Sequence, residues 1–77
     1  MPKGFPTCSY RKLRKIIEKY ADGPLRSKGS HEIFRSRITG KNFTFPHRNK
    51  DFKTATVRNI LVKQLGLTQE QALKEVR

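Results

Sequence analysis

The chain has 77 residues, with 18 Lys and Arg against 6 Asp and Glu and a formal net charge of +12 at pH 7. That length leaves room for one hydrophobic core and no second domain, and roughly 60% of the unfolded chain's surface is buried on folding. No apolar run approaches the roughly 20 residues of a membrane-spanning helix, and a lone Cys excludes an intrachain disulfide and a Cys-based zinc site.

The charge points to polyanions: nucleic acid, an acidic protein or, least of all, an anionic membrane. Hydrophobic residues make up only 34% of the chain, but they are clustered and periodic, which favours a folded domain over a disordered basic tail. Residues 1–8 hold Pro2, Gly4 and Pro6 and read as a flexible leader, with residues 9–77 as a single domain. The leader lacks the apolar core of a secretory signal. Cys8 reads as a half-exposed thiol with no activating partner, in keeping with a reducing cytoplasm.

Ser9 is a good N-cap, and Tyr10, Leu13, Ile16, Ile17 and Tyr20 then recur on one helical face. Glu18 is placed to meet Arg14 or Lys15 one turn back. The spacing predicts a helix over 10–21, ended by Asp22–Gly23–Pro24 with the glycine in the left-handed position after the last turn. Leu25–Lys28 reads as a short edge strand. His31–Ile38 and Lys41–His47 read as two strands of a hairpin turning at Thr39–Gly40. Counting outward from that turn pairs Ser36 with Phe43, Phe34 with Phe45 and Glu32 with His47. Phe43 and Phe45 alternate with polar residues and mark a buried sheet face, to which Ile33, Phe34 and Ile38 add the partner strand's apolar atoms. Pro46 belongs at a strand end, and residues 47–51 form a polar loop. A second helix, capped by Thr54 or Thr56, buries Val57, Ile60, Leu61 and Leu65 and ends at Gly66. Thr68 and Gln71 form a capping box that opens a short third helix, docked by Ala72, Leu73 and Val76. The order is that of an α+β fold: a three-stranded antiparallel sheet with helices packed on one face.

The chemistry gathers in Arg26–Ser27–Lys28–Gly29–Ser30–His31. Gly29 lets the backbone approach a ligand closely, successive amides in such a turn can cradle an anion, and His31 titrates near neutrality. His47 falls at the same end of the predicted hairpin, so two imidazoles could serve one phosphate as general base and acid. The competing reading is plainer: a solvated Lys-Gly-Ser turn, a histidine that begins a strand, and His47 as a polar loop residue. Arg26, Lys28, Arg35, Arg37, Lys41, Arg48, Lys50 and Lys53 surround both histidines and suggest a groove that tracks phosphates. The histidines and Asp51 lack metal-ligand spacing, so metal-free proton transfer is the simpler expectation. No Walker loop, dinucleotide fingerprint or Ser–His–Asp order is present.

Lys28-Gly29-Ser30-His31, followed by Pro46-His47 and Thr56-Val57-Arg58-Asn59-Ile60-Leu61, resembles the HicA toxin family over roughly residues 9–75. The resemblance implies a double-stranded-RNA-binding-domain-like fold. It also implies a cytoplasmic type II toxin that cleaves mRNA as a metal-independent endoribonuclease without a cofactor. It further implies a free toxin that is monomeric and an acidic HicB-like antitoxin that covers the active face. The family's catalytic histidine falls on His31 and its glycine on Gly29. The chain departs from the pattern at Pro24, where an aromatic is common, at Glu32, where a second histidine is common, and in its longer leader.

Two functions follow for the same residues. In an endoribonuclease His31 moves the proton, His47 is a candidate second acid or base, and Lys28, Gly29, Ser30, Arg26, Arg35, Arg48 and Lys50 hold phosphate and RNA. In a non-catalytic module of the double-stranded-RNA-binding type, the surface reads RNA shape. A basic protein–protein adaptor is a third reading, reached only if neither cleavage nor RNA binding is found.

Overall fold

The computed structural model describes residues 4–77. Helix α1 spans Tyr10–Tyr20, and Ser9 caps it by accepting from the Lys12 amide at 3.2 Å. Leu13, Ile16 and Ile17 face the core, as the helical spacing requires. Gly23 does not end this helix. Ala21 is already extended, and strand β1 (Ala21–Lys28) follows with no linker. The helix end is closed instead by Arg37, whose guanidinium donates to the carbonyls of Glu18 and Lys19 at 3.2 and 2.9 Å. A cation is favourable at that pole of the helix dipole. Asp22 pairs with Arg35 and Arg26 with Ile33, so Gly23, Pro24 and Leu25 bulge opposite Phe34 alone. A Cβ on Gly23 would lie 2.9 Å from the Phe34 ring, so the bulge needs a glycine where it crosses the core. This bulge carries the strand past Pro24 and back to Ala21, well before the expected start at Leu25.

Strands β2 (His31–Ser36) and β3 (Asn42–Pro46) complete an antiparallel sheet in the order β1-β2-β3. Both are shorter than expected and their register is shifted. Phe34 pairs with Phe43 and Glu32 with Phe45, where the tight-turn count put Phe45 and His47. The cause is Ser36. Its fully buried hydroxyl accepts from the amides of Ile38 and Thr39 and donates to the Leu65 carbonyl at 2.6 Å. The chain therefore leaves the ladder at Ser36, and the Ser36 amide bonds the Lys41 carbonyl across a wider loop. Ile38, expected in the core, lies exposed in that loop. Ile33, also expected there, is half-buried and shares its face with Arg26 and Thr44. A shift of two residues preserves the faces of a strand, so Phe34, Phe43 and Phe45 still line one buried surface.

The helices cover that surface. Helix α2 (Thr54–Arg58) continues as a π-helical stretch, Asn59–Gln64, that buries Ile60 and Leu61. Its N-cap is Lys53, without a side-chain bond, and neither Thr54 nor Thr56 takes that role. Gly66 follows the last turn with φ of 96°. Helix α3 (Gln69–Val76) opens with the expected capping box, in which Thr68 and Gln71 serve each other's backbone amides. It docks on α1 through an ion pair from Lys19 to Glu75, a hydrogen bond from the Tyr20 hydroxyl to the same carboxylate, and the Lys12 ammonium on the Val76 carbonyl. Within the segment read as a leader, residues 1–3 lie outside the described residues, and Phe5 and Cys8 pack in the core. Cys8 exchanges backbone hydrogen bonds with Phe52 at 3.3 and 2.7 Å. Its thiol is therefore buried, not half-exposed, and desolvation raises its pKa. Among the described residues no helix is long and apolar enough to cross a membrane.

Candidate functional site

Lys28 and His31 are Cα partners across the β1–β2 turn. Gly29 has φ of 62° and Ser30 does not take a positive φ, so Gly29–Ser30 forms a type II′ turn. In such a turn the central amides point away from the hairpin, and those of Gly29 and Ser30 have no backbone acceptor among the described residues. Lys28, Gly29, Ser30 and His31 are all exposed. The tip thus exposes two N–H groups without a backbone acceptor, an ammonium and an imidazole.

Among the described residues one face of the sheet carries no helix, and its side chains are exposed or half-buried. The register places its residues in rows: Lys28, His31 and Pro46, then Arg26, Ile33 and Thr44, then Asp22, Arg35 and Asn42. Arg26, Lys28 and Arg35 therefore share a face with His31. Asp22, the face's carboxylate, lies 3.6 Å from Arg37. Arg48 and Lys50 do not join these rows. Arg48 extends over the ring of Phe52, 5.5 Å from its centroid, and Lys50 is exposed in the loop after β3.

The two histidines are neighbours in backbone but not in side chain. The His47 amide donates to the Ser30 carbonyl at 2.6 Å, continuing the hairpin ladder by one residue. Since side chains alternate along a strand, His47 falls on the helix side and His31 on the open side. The His47 ring packs at 4.4 Å against Tyr10, which stacks in turn on Phe45. The convergent pair of imidazoles expected from the sequence is not formed.

Beside His47 lies a polar cluster that sequence reasoning missed. Arg14 donates to Glu32 at 2.6 Å and to the Tyr10 hydroxyl at 2.8 Å, and that hydroxyl donates to Glu32 at 2.7 Å. Arg14 also holds Glu18 at 3.0 Å, the helical pair expected from spacing. The Glu32 carboxylate, at a position where a second histidine is common in the family, turns to the face opposite His31 and into this cluster. The Arg14 hydrogen bond holds its pKa below the usual carboxylate range, and the same bonds raise that of Arg14. Tyr10 and Arg14, one turn apart on α1, together with the inward parity of Glu32, were the available signal. Among the described residues no three His, Cys, Asp or Glu side chains gather as a metal-ligand group.

Two carboxylates, Glu32 and Glu75, are thus held below their usual pKa, the second by Lys19 and then Tyr20. Each is more readily ionised folded than unfolded. Their stabilisation is complete above the unfolded value of about 4.5 and is lost as pH falls through the lower folded values. The thermal midpoint should therefore be level near neutrality and fall in acid. In Glu32→Gln/Glu75→Gln protein that acid decline should be shallower, measured by circular dichroism between pH 7 and 3. An identical decline would show that neither ion pair contributes.

These features define a small basic α+β domain with an exposed, cation-bearing sheet face. A family model described as the HicA toxin of bacterial toxin–antitoxin matches residues 10–67, and the chain belongs to that family. It is the toxin of a toxin–antitoxin system, with a cognate antitoxin as its partner. Neither the curated proteins nor the solved structures compared contain a match. Helix α3 lies beyond the matched residues.

Proposed function

We propose that the protein is an endoribonuclease that cleaves mRNA at the β1–β2 turn, with His31 as the proton-transfer group. The observation that carries this reading is an exposed imidazole paired across a type II′ turn with Lys28, beside the unpaired Gly29 and Ser30 amides. Family membership supports it. The RNA 2′-hydroxyl attacks the adjacent phosphorus as its proton leaves, and the 5′-oxygen departs and takes up a proton. The products are a 2′,3′-cyclic phosphate and a 5′-hydroxyl end. His31 moves a proton in this exchange. Lys28 and the two amides hold the charge that grows on the phosphoryl oxygens, where preorganised donors lower the barrier most. His47 faces away from the turn and serves the Tyr10 packing.

Incubation of purified protein with a defined RNA, with and without EDTA, tests the reaction. Cyclic phosphate ends produced at equal rates in both conditions are expected, and intact RNA would overturn the proposal. The acidic antitoxin would cover the same open face and protect the RNA, with a fast, salt-sensitive association rate.

Binding gives a separate expectation. Arg26, Lys28 and Arg35 share one face, and each single-strand phosphate contact adds about 0.7 to the slope of log affinity against log salt. Replacing all three by Ala should flatten the slope by about 2, as read by fluorescence anisotropy. An unchanged slope would move the RNA surface to another part of the molecule, such as Arg11 and Lys15 of α1.

A further inference from the structure

On the open face, one row away from His31, Leu25, Arg26, Ile33 and Asn42 line a shallow depression of about 500 Å³. Leu25 is half exposed although it is a large apolar side chain, and Ile33 is half-buried at the centre of the same face. The floor is therefore apolar and its rim is Arg26 and Asn42. The orientation of Asn42 follows from its partner. Arg35 Nε donates to Asn42 Oδ1 at 3.1 Å, and a guanidinium can only donate. The amide oxygen must face Arg35, which leaves Nδ2, on a residue that lines the depression, without an acceptor among the described residues.

We propose that this depression is a subsite for one nucleobase of single-stranded RNA, next to the phosphate that His31 serves, and that Asn42 selects the base. The inference rests on the endoribonuclease reading and adds a specificity determinant to it. An unstacked base has an apolar face for Leu25 and Ile33, and its edge carries the acceptor that Nδ2 needs. Single-stranded RNA is read in this manner, by base faces against side chains and base edges against amides, with Arg planes as further platforms. His31 and Ile33 are two residues apart on one strand, roughly 7 Å, so a nucleotide adjoining the reacting phosphate reaches the depression without leaving the sheet. The surrounding charge is complementary to that occupant. Arg26, Lys28 and Arg35 flank the path, and Asp22 is held by Arg37. All four bases carry an edge acceptor, so the preference follows from which base brings a carbonyl or ring nitrogen to Nδ2 when its face lies on Leu25 and Ile33. Arg35 is a positioning residue, since it acts by fixing the Asn42 amide.

The test uses the full chain and two readouts. The first maps cleavage positions on an RNA carrying every base at each side of the cut. Wild-type protein should prefer one base at a fixed offset from the cleaved bond. Asn42→Ala should reduce that preference several-fold, up to about tenfold, the worth of one neutral hydrogen bond, and Arg35→Ala should do the same. The second readout titrates short 2′-deoxy oligonucleotides, which cannot react, and follows the Leu25 and Ile33 methyl signals by NMR. Those signals should shift with the preferred base and shift less with the others. Shifts without any cleavage would remove the enzymatic reading while leaving the base subsite in place. Cleavage with an unaltered preference in Asn42→Ala, or with silent methyl signals, would overturn the subsite. So would a face that binds no oligonucleotide and is perturbed by the antitoxin alone.

Discussion

His31→Ala should abolish RNA cleavage, with a rate loss of roughly 10²–10⁴, the usual worth of a positioned acid or base. The fold should barely register the change. His31 is exposed at the closing position of a two-residue turn, and its side chain takes part in no hydrogen bond among the described residues. Surface changes of that kind stay within about 0.5 kcal/mol, far too little to mimic a catalytic loss. His47→Ala is the instructive companion. Its ring packs on Tyr10 on the other side of the sheet, so its removal should lower the rate less than about tenfold, a small share of what a positioned acid or base supplies. Single-turnover cleavage by the two purified variants measures both effects. A large loss in His47→Ala would restore the two-histidine mechanism. Wild-type cleavage by His31→Ala would end the catalytic assignment and leave an RNA-binding module.

Ser36→Ala should be the costliest substitution of a polar side chain in the sheet. The hydroxyl is fully buried and serves three backbone groups: the Leu65 carbonyl at the end of the second helix and the Ile38 and Thr39 amides. Water can reach the two loop amides, because Ile38 and Thr39 are exposed, but Leu65 is buried. An orphaned buried acceptor costs about 1–3 kcal/mol, and the loop loses its anchor as well, so a total of about 2–3 kcal/mol is expected. A chain of this size has only about 4–12 kcal/mol of stability in all. The urea midpoint should fall markedly with an unchanged slope. An unmoved midpoint would mean that the loop closes without the hydroxyl.

The elements were legible from the sequence because each is specified locally. Helical spacing of Leu13, Ile16 and Ile17, a serine cap before them and the Thr68–Gln71 box act over one or two turns, and the structure has all of them. The alternation of Phe43 and Phe45 marked the buried face for the same reason. The turn Lys28–Gly29–Ser30–His31 was also legible, since a glycine between two short strand patterns dictates a tight reversal. The opposite parity of His31 and His47 was within reach as well. The expected pairing of Glu32 with His47 already placed His31 on the other face.

Contacts distant in sequence decided the rest. The hairpin register depends on Ser36 bonding to Leu65, and no local signal couples those positions. Burial of Cys8 depends on Phe52, and the end of α1 on Arg37. Arg14 met Glu18 as helical spacing predicts, and it also met Glu32 of β2, whose strand parity already turns that carboxylate away from His31. The sequence by itself determined the order of helices and strands, the burial of Phe34, Phe43 and Phe45, and the turn at Lys28–His31, but not the burial of Phe5 and Phe52 or the start of β1 at Ala21. Only the tertiary structure decided which cations stand beside His31. Arg37, Arg48 and Arg26 are alike as residues. Packing commits the first to a helix end, the second to a phenylalanine ring, and leaves the third on the open face.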